Sequence, residues 1–173
     1  NSDLSAVCRA QARSAAPLVP AAILRNRTMV ASDLAAFLLF SAFFSFIFLA
    51  SLLMQQLLAY SPTRTGLAWL ATSITAFVAA GIAGAKLVSA VGVRRMLIVG
   101  LTLATLSMAW LTRIPVGADY ITDLLPALVL AGFAIGLSAP SVQIGALTGI
   151  GGRMVGLASG LVNTSVQVGA ALG

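Results

Sequence analysis

Turned by ~100° per residue, Asp33, Phe37, Phe40, Phe44, Phe48, Ser51 and Gln55 of one long apolar run fall on a single side of a helix. Opposite them lie Ala35, Leu39, Ala42, Phe46, Leu49 and Leu53, a face suited to lipid or to a dry helix contact. An aromatic stripe with polar ends offers reversible binding: aromatic rings give large apolar area and attract cations with little geometric demand. Packing of phenylalanine inside a membrane is the competing reading of the same stripe. A second face carries Gly156, Ser159, Gly160, Asn163 and Gln167, with Leu157, Leu161 and Val168 opposite. Asn and Gln one turn apart in hydrocarbon are costly unless they find partners or face water. A weaker stripe of small residues runs through Ala134, Ser138, Ser141, Gly145 and Thr148. Candidates for lining a substrate cavity are therefore Phe37, Phe40, Phe44, Phe48, Gln55, Ser141, Ser159, Asn163 and Gln167.

Covalent chemistry has little raw material. The chain has no His and one cysteine, Cys8, so metal sites, disulfides and Cys/His catalysis are not expected. A nucleophile, an acid/base pair or a metal cluster at one depth would mark an enzyme, and none is visible. No cofactor is expected either. The net charge of +6 comes from cations scattered at helix ends, without a basic face or interleaved aromatics, which argues against nucleic acid as a partner.

With 60% hydrophobic and 8% charged residues, against roughly 25% charged in a soluble domain, the chain reads as an all-α polytopic membrane bundle. Five helices are expected, at about 34–58, 65–88, 96–111, 124–150 and 154–173, the last cut short. Residues 1–27, with Pro17, Pro20 and four arginines, read as a polar linker, and 28–173 as a partial transmembrane bundle. Starting at Asn1 and stopping at Gly173 inside an apolar run, the sequence reads as a piece of a longer chain.

The second helix aligns Trp69, Thr72, Ser73, Ala76, Ala80, Ala83 and Gly84, small residues that let backbones approach. The third carries only Thr, Ser and Met among apolar residues and reads as mostly lipid-facing. In the fourth, Gly132 and Gly136 form a G-x-x-x-G pair, and the internal Pro140 is expected to kink the helix.

The short basic turn from Ala85 to Arg95 sets the orientation, since Lys and Arg in short loops mark the cytoplasmic face. Eight of the ten cations fall on that side: four in 1–27, then Lys86, Arg94, Arg95 and Arg153. Arg64 and Arg113 fall outside, together with Asp119 and Asp123. A multi-pass protein of the cell's inner membrane with residues 1–27 in the cytoplasm is expected, with the lipid bilayer as its first partner.

The turn Ala85 to Arg95 resembles the cytoplasmic loop signature of the major facilitator superfamily, G-x-L-x-D-R-x-G-R-R, with Leu87, Gly92 and Arg94 in register and the second loop arginine, Arg95, one residue beyond. Three further stretches are similar to its fourteen-helix drug/proton antiporter branch: Arg25 to Thr28, Gln55 to Pro62, and Gly156 to Gln167. The resemblance implies most of a carboxyl-terminal six-helix half, lacking the end of its fifth helix and all of its sixth. Its partners would be the missing amino-terminal half and small lipophilic or cationic organic substrates. It implies alternating access by rocking of the two halves, with a proton gradient supplying the coupling ion. Where the signature has Asp and Arg, this chain has Ser89 and Ala90, so the acidic partner of the family's loop contact is absent.

The function expected from residues and resemblance together is proton-coupled efflux of amphipathic compounds. Transport of a polar metabolite would call for charged residues in the cavity helices near the midplane, and none is seen. A membrane scaffold would call for no polar residues on bundle-facing sides.

Overall fold

The computed structural model describes residues 27–82, 87–115, 117–148 and 155–173. These form an all-α bundle with five helical segments long and apolar enough to cross a membrane: Arg27–Leu57, Pro62–Ile82, Val93–Leu111, Tyr120–Leu147 and Val155–Leu172. We label the α-helices α1 (Arg27–Leu52), α2 (Pro62–Ala68), α3 (Leu70–Ile82), α4 (Val88–Val91), α5 (Val93–Leu111), α6 (Leu125–Leu147) and α7 (Val155–Leu172).

Helix α6 is the axis, packed against α1, α3, α5 and α7. Small residues on successive faces permit this. A β-carbon on Gly132 would stand 2.6 Å from the Thr72 carbonyl oxygen of α3, and one on Gly145 would strike the Ser32 hydroxyl of α1. The relation reverses at α5, where it is Gly100 that leaves room for Ser138 of α6. Among lipid tails apolar burial gives helices little drive to associate, so close backbone approach and interhelical hydrogen bonds hold them together. Thr72 Oγ1 donates to the Leu128 carbonyl (3.0 Å), Ser107 Oγ to the Ala127 carbonyl (2.9 Å), and Tyr120 to the Ala68 carbonyl (3.1 Å).

The largest apolar cluster joins Phe46, Ala50 and Met54 of the first span to Ala68, Leu111, Leu128 and Ala131. Phe46 is buried and meets Trp69 edge to face, with centroids 5.9 Å apart. Of the face opposite the stripe, Ala35, Leu39 and Phe46 are buried in a dry helix contact, Ala42 and Leu53 are half-buried, and Leu49 is exposed.

Several boundaries move. In the first span the helix is already formed from Arg27 through Leu34, seven residues ahead of the expected start. Asp33 is thus inside the helix, facing Ser165 of α7, with its Oδ1 buried and unpartnered. After Leu52 the chain loosens into a π-helical turn, Leu53–Leu57, and reverses at Ala59, whose φ is +50°. Ser61 caps α2 by accepting from the Arg64 amide (3.3 Å), with Pro62 in the first turn, where its missing N–H costs little. Arg64 lies over the Tyr60 ring at 3.8 Å.

The second span runs on through Trp69, where α2 meets α3: Trp69 keeps helical φ and ψ, its amide donates to the Thr65 carbonyl (3.2 Å) and its carbonyl accepts from the Ser73 amide (3.0 Å). Ala83 and Gly84 of its expected stripe lie outside the described residues. Thr72 and Ala79 are the buried residues of α3, while Ser73 is exposed and donates to its own helix at the Trp69 carbonyl. The third span is less lipid-facing than its composition suggests: Met96, Leu97, Gly100, Ser107 and Leu111 form one closed face, leaving Ile98, Val99, Leu106 and Trp110 outward. The fourth runs unbroken through Pro140 and stops at Leu147, because Thr148 is extended (ψ 123°). Residues 149 and 150 of its expected end lie outside the described residues.

Candidate substrate face

The signature turn is positioned by Gly92, which ends α4 and opens α5 at φ +88°, a conformation that side-chain-bearing residues rarely adopt. Leu87 is half-buried against Val88 and Met96, and Arg94 and Arg95 are exposed on the first turn of α5. Ser89 and Ala90, at the departures from the signature, are exposed on α4.

The aromatic stripe of α1 divides into two parts. Its first part is closed by α7: Asp33 meets Ser165, and the Phe37 backbone approaches Gly169 so closely that a β-carbon there would strike the Phe37 carbonyl. The same close approach continues at Ser41 and Gly173, and Ser45 Oγ donates to the Gly173 carbonyl (3.0 Å). Glycine at 169 is what lets α7 lie on α1. The second part is open. Phe44 is 43% and Phe48 62% exposed, against 2% for Phe46 between them. Phe40 and Ser51 are half-buried, and Gln55 is exposed.

Phe48, Ser51 and Gln55 share a recess of about 220 Å³ with Leu52 and Gln56. This recess pairs two amides and a hydroxyl with an aromatic ring, and it can hold an apolar body with a polar end. Gln56 was not among the candidates from sequence, although its place one residue from Gln55 puts it only ~100° round the helix.

On α7, Asn163 and Gln167 are exposed, and Ser159 is half-buried. The buried residues of that helix are Ala158, Val162 and Gly169, so the amides lie on the side turned away from α1. The structure therefore presents two polar faces, one on each helix, and does not join them within one recess. Gly156 and Gly160 leave the α7 face open, with nothing within 4 Å of a β-carbon placed on either.

Ser141 lies inside the packed axial helix α6. It is wholly buried and its hydroxyl donates to the Leu137 carbonyl of its own helix (2.7 Å), so it lines no open face. A small hydroxyl on the axial helix can satisfy itself one turn back, which frees it to serve packing. No cluster of three or more His, Cys, Asp or Glu able to hold a metal occurs among the described residues.

The sequence profile described as Major Facilitator Superfamily matches residues 5–173. The chain is also similar to the puromycin resistance protein pur8 of Streptomyces alboniger, 30% identical over 159 residues, covering 91% of this chain. It spans 32% of that relative's length. On the match across nearly its whole length, together with four spans gathered round a fifth, glycine-bearing axial helix, the chain belongs to the major facilitator superfamily.

Proposed function

We propose that the chain is part of a secondary transporter that exports amphipathic or cationic organic compounds in exchange for protons. The observation that carries this reading is the split of one aromatic run: Phe48 stands open in one recess with Gln55 and Phe44 is open one turn before it, while Phe46 is sealed in the core. Open aromatic rings next to amides favour ligands that combine a flat or greasy body with a polar or charged group. The described parts of α3, α6 and α7 carry no charged residue, which disfavours a small, highly charged metabolite as cargo. The likeness to a puromycin resistance protein supports an organic compound of drug-like size. The chain performs no covalent chemistry in this reading.

Alternating access would come from rocking of this bundle against a second one, with the basic turn at Arg94 and Arg95 on the cytoplasmic side of the inner membrane. The test uses the full-length protein in liposomes with an acidic lumen. Puromycin and ethidium should accumulate inside while the lumen turns alkaline, and a protonophore should abolish both. Accumulation that ignores the pH gradient would overturn the proton exchange, and no movement of either compound would overturn the substrate class.

A further inference from the structure

A groove of about 540 Å³ lies between the first turns of α1 and α5. Arg27 and Arg94 stand at its rim, and Leu97, Ile98 and Leu101 line its wall toward the bilayer interior. Both guanidiniums are exposed, and none of the described carboxylates forms an ion pair with either. Asp33, the acid of α1, is directed to Ser165 on the α7 side instead. From Arg94 to Leu101 the apolar wall extends about 10 Å along the helix axis, at 1.5 Å per residue.

Two arginines that no described carboxylate neutralises, set over an apolar track, match an amphipathic anion, with its charge at the rim and its hydrocarbon along the wall. A soluble anion would leave the track empty, and the membrane itself supplies molecules of the required shape. We propose that this groove binds one anionic phospholipid, its phosphate held by Arg27 and Arg94 and an acyl chain lying along Leu97, Ile98 and Leu101. Basic pockets between helices at a membrane face favour such headgroups. The site rests on the membrane-spanning fold and not on the substrate proposed above.

The test places an indole in the groove by Ile98→Trp, at a position already 54% exposed, in the full-length protein. Its fluorescence, taken as the difference from the unsubstituted protein, is quenched by phosphatidylglycerol or phosphatidylcholine brominated on the acyl chains. Phosphatidylglycerol should be preferred, and the preference should fall about fivefold with each of Arg27→Gln and Arg94→Gln. Arg95→Gln should leave it nearly unchanged, since Arg95 lies outside the groove, and millimolar inorganic phosphate should not compete. Retained elution as a single species and retained quenching by phosphatidylcholine show that the variants are folded. Equal quenching by the two lipids, equal loss with Arg95→Gln, or competition by phosphate would overturn the proposal. Absence of quenching by either lipid would show the groove covered by protein and would overturn it as well.

Discussion

Gly136 of α6 and Ala79 of α3 approach so closely that a β-carbon on the glycine would stand 2.7 Å from that of the alanine. The Ala76 carbonyl is nearer still, and backbone cannot swing aside as a long side chain can. Gly136→Val should therefore force α3 off α6, costing about 1–3 kcal/mol or more through overpacking. Gly156→Ala on the open face of α7 should leave stability unchanged or slightly raised, because a β-carbon there meets nothing within 4 Å. Thermal unfolding of the full-length protein in detergent checks both, and equal effects would show that the α3–α6 contact is not tight.

Thr72 tests the hydrogen bond at the same contact. Its hydroxyl is buried and donates across the interface to the Leu128 carbonyl at 3.0 Å. Thr72→Val keeps the shape and removes the donor, so the loss should be about 0.6 kcal/mol, with an upper bound near 2. Ser73→Ala should cost less, since the exposed Ser73 bonds only its own helix. The ranking of the two, measured by the same unfolding assay, decides the point.

Much of the bundle was legible because a membrane imposes length and apolarity on every span, and both are written in composition. The G-x-x-x-G pair at Gly132 and Gly136 read correctly as a packing surface for the same reason. Local looseness was harder to see. The turn at Leu53–Leu57 and the stop at Thr148 depend on how neighbouring elements dock, and no Gly or Pro at these points announces them. The stripe of α1 was visible as a face, but periodicity cannot tell which part of a face a neighbour covers. That α7 closes on Phe37 and leaves Phe44 open is a fact of the crossing, set by Gly169. Nor could sequence show that Ser141 is buried with its hydroxyl bonded to the Leu137 carbonyl, because a small hydroxyl suits packing and binding equally well.

Orientation is open to a direct measurement. If cations in short loops set the orientation, residues 1–27 and the Arg94–Arg95 turn should lie in the cytoplasm and Arg64 outside. In right-side-out vesicles an impermeant thiol reagent should spare Cys8 until the membrane is opened, while Thr63→Cys, exposed on α2, should react at once. The reverse pattern would invert every loop.

Ser89 offers a test of gating. A carboxylate there would accept charge-assisted hydrogen bonds from a basic group or a helix N-terminus, stronger than those of a hydroxyl. Ser89 is exposed on α4, next to the Gly92 turn, so the larger side chain has room. Ser89→Asp in the full-length protein should strengthen closure of the cytoplasmic side and shift the resting population toward the outward-open state. Cysteine probes on the cytoplasmic side should then label more slowly, and unchanged labelling would discount the contact.

The substrate face is decided by two phenylalanines two residues apart. Phe46 is 2% exposed and stacked edge to face on Trp69, so its truncation to Ala should cost about 3–5 kcal/mol. Phe44 is 43% exposed and touches Phe43 edge to face at 6.5 Å, so the same change should cost markedly less. Stability alone does not report substrate contact. The informative pair is Phe44→Leu and Phe46→Leu in the full-length transporter, at matched expression, assayed against puromycin and several lipophilic cations. If Phe44 meets the cargo, its replacement removes the ring face that attracts cations, a loss of about 0.5–2 kcal/mol that depends on each ligand's charge and shape. The order of substrates should then change with Phe44→Leu, by up to about thirtyfold between best and worst affected. Phe46→Leu should lower all of them together, through folded protein alone. Equal and substrate-independent effects of the two would return the open half of the stripe to packing.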